Sequence, residues 1–241
     1  MAKALFDRAL AIGGVIALSP LLLVCCFLIW RHDRQSPFYL AERAARGGGS
    51  FRMVKLRSMV ANADRLRASS TGGDDNRITP IGHFIRRWKI DEFSQLWNVA
   101  TGDMSLVGPR PQVMAEVATY TEEERVLLQV KPGITDFSSI VFADEGEILR
   151  GAADADLAYR QLIRPWKSRL GLFYIAHHGF ALDLGLIWLT LVRIVAPDLA
   201  LSGVCRLLES RGASADLVHV ARRSGPLEPA AVPGRDVPFD A

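Results

Sequence analysis

The sequence predicts a helix-rich α+β domain associated with a membrane. Three observations lead there: an uncharged N-terminal stretch long enough to enter a bilayer, a middle third where two-residue alternation gives way to helical spacing, and a C-terminal third rich in apolar and aromatic residues but broken by charge. With 241 residues and 49% apolar content, the chain supports one core rather than two full domains. It divides into an anchor over residues 1–34, a small globular domain with interfacial amphipathic helices over 35–205, and a polar, proline-rich tail over 206–241 whose composition predicts disorder.

The anchor comes first. From Ala9 to Trp30 no charged residue occurs for 22 residues, about 33 Å of helix and enough to cross a hydrocarbon core. Ser19-Pro20 interrupts its middle. Proline lacks an N–H and clashes with the preceding turn, and Ser19 is placed to satisfy the carbonyl that proline frees. Basic residues lie on both flanks, Lys3 and Arg8 before and Arg31 and Arg34 after, so the positive-inside tendency favours neither end. Bend and charges together predict a re-entrant helix broken at Ser19-Pro20, with both ends cytoplasmic; a straight spanning helix that tolerates one proline is the competing arrangement. The stretch is long for a signal peptide and lacks a small-residue cleavage site, so we read it as retained.

Next, Phe38-Tyr39-Leu40 and the alternating run from Phe51 to Leu56 flank Gly47-Gly48-Gly49, which predicts a small hairpin. The glycines lack the spacing and following helix of a phosphate-binding loop and read as a turn. Gly72-Gly73-Asp74-Asp75 reads as an exposed acidic loop rather than a metal site.

Ile90, Phe93, Leu96, Trp97 and Ala100 then recur at three- and four-residue spacing, an amphipathic helix with Asp91 and Glu92 in its first turn. Alone, such a pair is an ordinary stabiliser of a helix start. Its neighbourhood suggests phosphoryl chemistry. Lys55, Arg57, Arg77, Arg86, Arg87 and Lys89 precede it, able to converge on a pyrophosphate or to rest on lipid phosphates. Pro109-Arg110-Pro111 follows, two prolines that stiffen the backbone around an arginine whose planar donors match phosphate oxygens. A carboxylate able to attack phosphorus would approach an anionic diphosphate, which predicts Mg²⁺ held by one carboxylate with substrate oxygens.

Further on, residues 166–196 read as interfacial helices, with Trp166, Tyr174 and Trp188 suited to the headgroup boundary. Adjacent His177 and His178 diverge on a helix and do not make a metal pair. Cys25, Cys26 and Cys205 show no disulfide or zinc spacing. A net charge of +3 is too mild to predict nucleic-acid binding.

Six runs in order, Lys55-Leu56-Arg57-Ser58-Met59, Arg77-Ile78-Thr79, Gly82 to Arg87, Ile90-Asp91-Glu92 through Asn98, Gly102 to Pro111, and Lys131-Pro132-Gly133-Ile134-Thr135, resemble the bacterial sugar transferase family, small monotopic phosphoglycosyl transferases acting on polyprenol phosphate. The resemblance implies that the 35–205 domain is catalytic. Asp91 would attack the β-phosphate of a uridine diphosphate sugar and expel UMP, and polyprenol (undecaprenyl) phosphate would then take the phosphosugar to start a surface glycan. It implies further that Glu92 completes the dyad, Asp91 helps hold Mg²⁺, Arg110 of Pro109-Arg110-Pro111 meets the nucleotide, and Arg86 meets an acceptor or lipid phosphate; Lys55, Arg57 and Arg87, from the converging cations read above, join these as expected substrate contacts. The location implied is the cytoplasmic face of a bacterial inner membrane, among lipid partners, and a homo-oligomer is compatible with it. The chain departs from the family pattern after Thr135: Asp136 to Glu145 replaces a run that carries an arginine, leaving Arg150 or Arg160 as substitutes and the sugar unspecified. Two other readings use the same residues: a metal-dependent phosphodiesterase or pyrophosphatase, in which the acids activate water, and a non-catalytic membrane adaptor.

Overall fold

A computed structural model describes residues 2–63 and 76–239. The expected acidic loop, Gly72-Gly73-Asp74-Asp75, lies outside the described residues. The domain is mixed and helix-rich, with helix α1 (Ala2–Asp33) first. A hairpin follows, β1 (Phe38–Ala44) with β2 (Ser50–Leu56), antiparallel from Phe38↔Leu56 to Ala44↔Ser50. Gly47 and Gly48, at φ 83° and 84°, make the tight turn between them, in the left-handed region open to glycine.

Three helices come next: α2 (Pro80–Arg87), α3 (Ile90–Phe93) and α4 (Leu96–Thr101). Thr79 caps α2 by accepting from the Gly82 amide at 3.0 Å, with Pro80 at the first helical position. The predicted helix over 90–100 is thus two short pieces separated by Ser94 and Gln95, whose backbones remain helical. A parallel pair, β3 (Ser105–Val107) with β4 (Gly133–Thr135), brings residues 108–111 beside 133–136. Their approach demands glycine, because a Cβ on Gly133 would meet the Gly108 nitrogen at 2.1 Å. Between these strands lies α5 (Met114–Val117); after them come α6 (Phe137–Val141), α7 (Glu145–Ile148), α8 (Ala155–Ala158), a π-helical turn over Tyr159–Ile163, and the longer α9 (Arg164–His177), α10 (Phe180–Val195), α11 (Pro197–Glu209) and α12 (Ala215–Arg222).

Helices α6 and α9 to α12 enclose the main core, with Phe137, Ile140, Leu170, Leu186, Val204, Leu208 and Ala221 buried in it. A smaller cluster joins Cys25 and Ile29 of α1 to Leu56, Ile85 and Ile90.

Two expectations from composition are corrected. Disorder from residue 206 does not hold, because an apolar face, Leu217, Val218, Val220 and Ala221, docks α12 on the core. Beyond it Val232 is buried, Thr121 donates to the Pro233 carbonyl at 2.6 Å, and Ala230 donates to the Gln161 carbonyl at 3.0 Å. Tyr174 is not at a headgroup boundary: it is buried, its hydroxyl bonding Asp183 at 2.7 Å. Trp166 packs partly buried against the core, whereas Trp188 is exposed.

Helix α1 is the one described helix long and apolar enough to cross a membrane. It runs through Pro20, and Ser19 Oγ donates to the Ile16 carbonyl at 2.7 Å, the group left without a donor by the proline four residues on. Both ends of α1 are tied to the same domain. Lys3 pairs with Asp183 and Asp7 accepts from Ser105 Oγ at 2.6 Å; at the far end Asp33 accepts from Arg57 at 2.7 Å.

Candidate active site

The acid pair is positioned from three sides. Ile90, 3% exposed, sits on Ile29 and Cys25 of α1, and Lys89 before it takes φ 51°, a left-handed turn uncommon for lysine, which starts α3 abruptly. From β2 come backbone contacts: Ser94 Oγ donates to the Val54 carbonyl at 3.1 Å, and the Asn98 amide bridges Val54 N and Arg52 O, each at 2.8 Å. Lys55, next on that strand, therefore faces α3 and lies 3.7 Å from Asp91. From the β3–β4 side, buried Pro109 and Pro111 fix the backbone of Arg110, whose Nη2 donates to Glu92 Oε1 at 2.8 Å.

The two adjacent carboxylates are thereby differentiated. Burial pushes Asp91 up from the ordinary carboxylate range, opposed by Lys55 and reinforced by Glu92. Burial acts on Glu92 too, but Arg110, Lys89 and Lys55 override it and hold the carboxyl at about 2. Arg110 is in turn held charged by Glu92. Burial pushes Lys55 and Lys89 down. Neighbouring carboxyls driven apart in this way are suited to different tasks. Glu92 is a fixed anion locked to Arg110 at 2.8 Å, whereas Lys55 stands 3.7 Å from Asp91.

Both acids open on a cavity of about 1330 Å³, larger than the roughly 300–1,000 Å³ typical for one small ligand and so roomy enough for two substrates. Among its cationic lining are Lys55, Arg86, Arg87, Lys89, Arg110 and Arg193. A model described as bacterial sugar transferase matches residues 1–197. The chain belongs to that family. It is similar to a UDP-galactose-lipid carrier transferase of Erwinia amylovora, 38% identical over 55% of this chain and 31% of the relative. It also resembles an exopolysaccharide production protein of Sinorhizobium fredii, 35% identical over 56% of this chain and 66% of the relative. A third relative is a UDP-glucose:undecaprenyl-phosphate glucose-1-phosphate transferase of Xanthomonas campestris, 32% identical over 83% of this chain and 40% of the relative. The chain thus spans between about a third and two thirds of the length of these curated relatives.

Of the residues that sequence singles out, Asp91, Glu92, Lys55, Arg86, Arg87, Arg110 and Pro111 meet at the cavity. Arg86 Nε donates to Ser58 Oγ at 2.9 Å, which orients it there. Arg57 also lines the cavity, but its guanidinium is bound to Asp33 and its Nε donates to the Ser36 carbonyl at 2.7 Å, so it ties α1 to β2 rather than offering donors to a substrate. Pro109 is buried and does not line the cavity. Of the two candidates for the missing arginine, Arg160 lines the cavity and Arg150 pairs with Glu147 at 2.6 Å on the surface. Sequence reasoning missed Tyr159, Lys167 and Arg193, which reach the cavity from the π turn, α9 and α10; no local spacing signals them.

Proposed function

We propose that this protein transfers a phosphosugar from a uridine diphosphate sugar to undecaprenyl phosphate, at the cytoplasmic face of a bacterial inner membrane, as the first step of a surface glycan. The observation that carries this reading is the asymmetric dyad: Glu92 locked by Arg110 at 2.8 Å, and Asp91 beside it facing a cationic cavity. An Asp91 oxygen attacks the β-phosphorus; the bond to the bridging oxygen breaks and UMP leaves with that oxygen, giving an aspartyl-phosphosugar. A phosphate oxygen of the lipid then attacks the same phosphorus, and the aspartyl ester bond breaks to restore Asp91. Adjacent cations lower the repulsion between carboxylate and diphosphate.

The carboxylate oxygens of Asp91, which open on the cavity, are donors that suit a hard cation completed by substrate oxygens and water. Asp91 would hold Mg²⁺, which when bound supplies charge neutralisation between nucleophile and diphosphate.

The re-entrant reading of α1 is supported by its ends. A helix of 32 residues is about 48 Å long, and a straight crossing would leave its termini on opposite sides of roughly 30 Å of hydrocarbon. Lys3, Asp7 and Asp33 instead all contact one polar domain. On α10, Phe180, Leu184, Trp188, Leu191 and Val195 form an exposed apolar stripe suited to the same interface.

The test is release of nucleoside monophosphate by purified protein in nanodiscs, across several uridine diphosphate sugars with Mg²⁺, with and without polyprenol phosphate, beside Asp91→Asn. Sustained release that needs the lipid and vanishes in the variant, while the variant still partitions into membranes, supports transfer. Sustained release without lipid would indicate hydrolysis, and unchanged turnover in Asp91→Asn would remove the assigned nucleophile.

A further inference from the structure

The cavity is divided by charge. Around Asp91 its lining is predominantly cationic, as a diphosphate requires. The wall built from residues 142–145, the π turn and α9 is different, because it carries the carboxylates Asp144 and Glu145 beside its cations. Lys167 donates to Glu145, Arg223 lies 3.1 Å from Asp144, and Arg193 is 4.0 Å from Asp144. A neutral polyhydroxyl ring gains little from net positive charge; it needs donors and acceptors held side by side and an apolar face to cover its C–H groups.

We propose that Tyr159, Lys167 and Glu145 form the subsite for the sugar ring of the donor. This rests on the transfer reading above. Lys167 Nζ lies 5.2 Å from the centroid of the Tyr159 ring, so an aromatic face, an ammonium and a carboxylate are presented together. The Glu145 side chain is 39% exposed and can accept from a hydroxyl while keeping its contact with Lys167. Location decides between the two neutral parts of the donor. The sugar is bonded to the phosphate that Asp91 attacks, whereas uridine is one phosphate further away. Arg110, which bonds Glu92 at 2.8 Å, lines a common recess with Tyr159 and Lys167, so the dyad and the matched pair share this arginine as a neighbour.

The experiment uses the full chain in nanodiscs, with UDP-glucose, UDP-galactose and their N-acetyl counterparts as donors and polyprenol phosphate as acceptor. Glu145→Gln keeps the shape but weakens the acceptor, and Lys167→Met serves as a second variant, both checked by thermal unfolding. The expected result is a change of about tenfold or more in the ratio of kcat/KM between donors differing at one hydroxyl, carried mainly by KM, with inhibition by UMP altered less than about twofold. A common loss for every donor, or weakened UMP inhibition, would make the pair a brace or a nucleotide contact and overturn the proposal. If the unaltered protein turns over no donor, the transfer reading fails, and saturation-transfer NMR with UDP-glucose then judges the subsite. Contact to sugar-ring protons that Glu145→Gln removes while uracil contacts persist supports it; contact confined to uracil and ribose overturns it.

Discussion

Replacing Arg110 by glutamine removes the donor that sets the charge state of Glu92, and the consequence can be worked from the site. Burial alone would raise the Glu92 carboxyl, yet Arg110 at 2.8 Å, with Lys89 and Lys55, holds it at about 2 against an ordinary value of 4.5. At about 1.4 kcal/mol for each tenfold in proton affinity, this gap corresponds to roughly 3 kcal/mol favouring the folded anion. Because the value is depressed in the folded state, the contribution is present above about pH 4.5 and lost as the pH falls towards 2. In Arg110→Gln, Glu92 should titrate within or above the ordinary range, and the neutral-pH fold should lose up to about 3 kcal/mol. Carbon-detected NMR of carboxyl-labelled glutamates in detergent micelles reads the titration directly, and chemical denaturation at several pH values reads the stability. If every glutamate of the unaltered protein titrates between pH 4 and 5, or if both proteins lose stability identically on acidification, the electrostatic account of the dyad is wrong. A kinetic corollary separates two roles for Arg110. If it sets the dyad, both half-reactions slow, whereas a pure nucleotide contact would affect only the donor step.

Three other outcomes follow from the packing. Ile90→Ala empties a buried position between Asp91 and α1, and should cost about 2–5 kcal/mol in chemical denaturation together with activity, since the pedestal of Asp91 is lost; a loss below about 1 kcal/mol would mean the cluster is not a tight core. Ending the chain after Arg223 deletes buried Val232 and the contact from Thr121 to Pro233, and should lower stability by about 3 kcal/mol, whereas an unchanged midpoint would restore the disordered tail. Single cysteines at Leu5 and Gln35, in a background lacking Cys25, Cys26 and Cys205, should both react with an impermeant thiol reagent only when the cytoplasmic face is opened, and labelling of either from outside would rule out a re-entrant α1.

How much of this could be read from the chain depends on where each partner lies in sequence. Asp91, Glu92 and Arg110 were legible because a short helix and a proline-clamped turn lie close together, and local rules fix both. Arg57 and Arg86 look alike as cations near an acid pair, but folding gives the first to Asp33 and leaves the second at the cavity, a distinction set by contacts no local pattern encodes. Tyr159 and Lys167 reach the site only because α9 packs across the main core, and Tyr174 looked interfacial because its buried partner, Asp183, lies on the next helix. The proline-rich tail misled for a different reason: its average composition is polar, while Leu217, Val218, Val220 and Ala221 concentrate the apolar residues on one short helix.

The same logic revises the boundary drawn at residue 34. Composition separates an anchor from a globular domain there, but Cys25 and Ile29 bury against Leu56, Ile85 and Ile90, and Asp33 holds Arg57. Leu56 follows Lys55 and Ile90 precedes Asp91, so the ion pair across the site rests on a cluster that the anchor completes. Helix α1 therefore also sets the position of the Asp91 carboxylate. If the proposed transfer holds, bilayer thickness or curvature that shifts α1 would be felt at Asp91 through Ile90 and would couple its chemistry to the lipid phase supplying the acceptor.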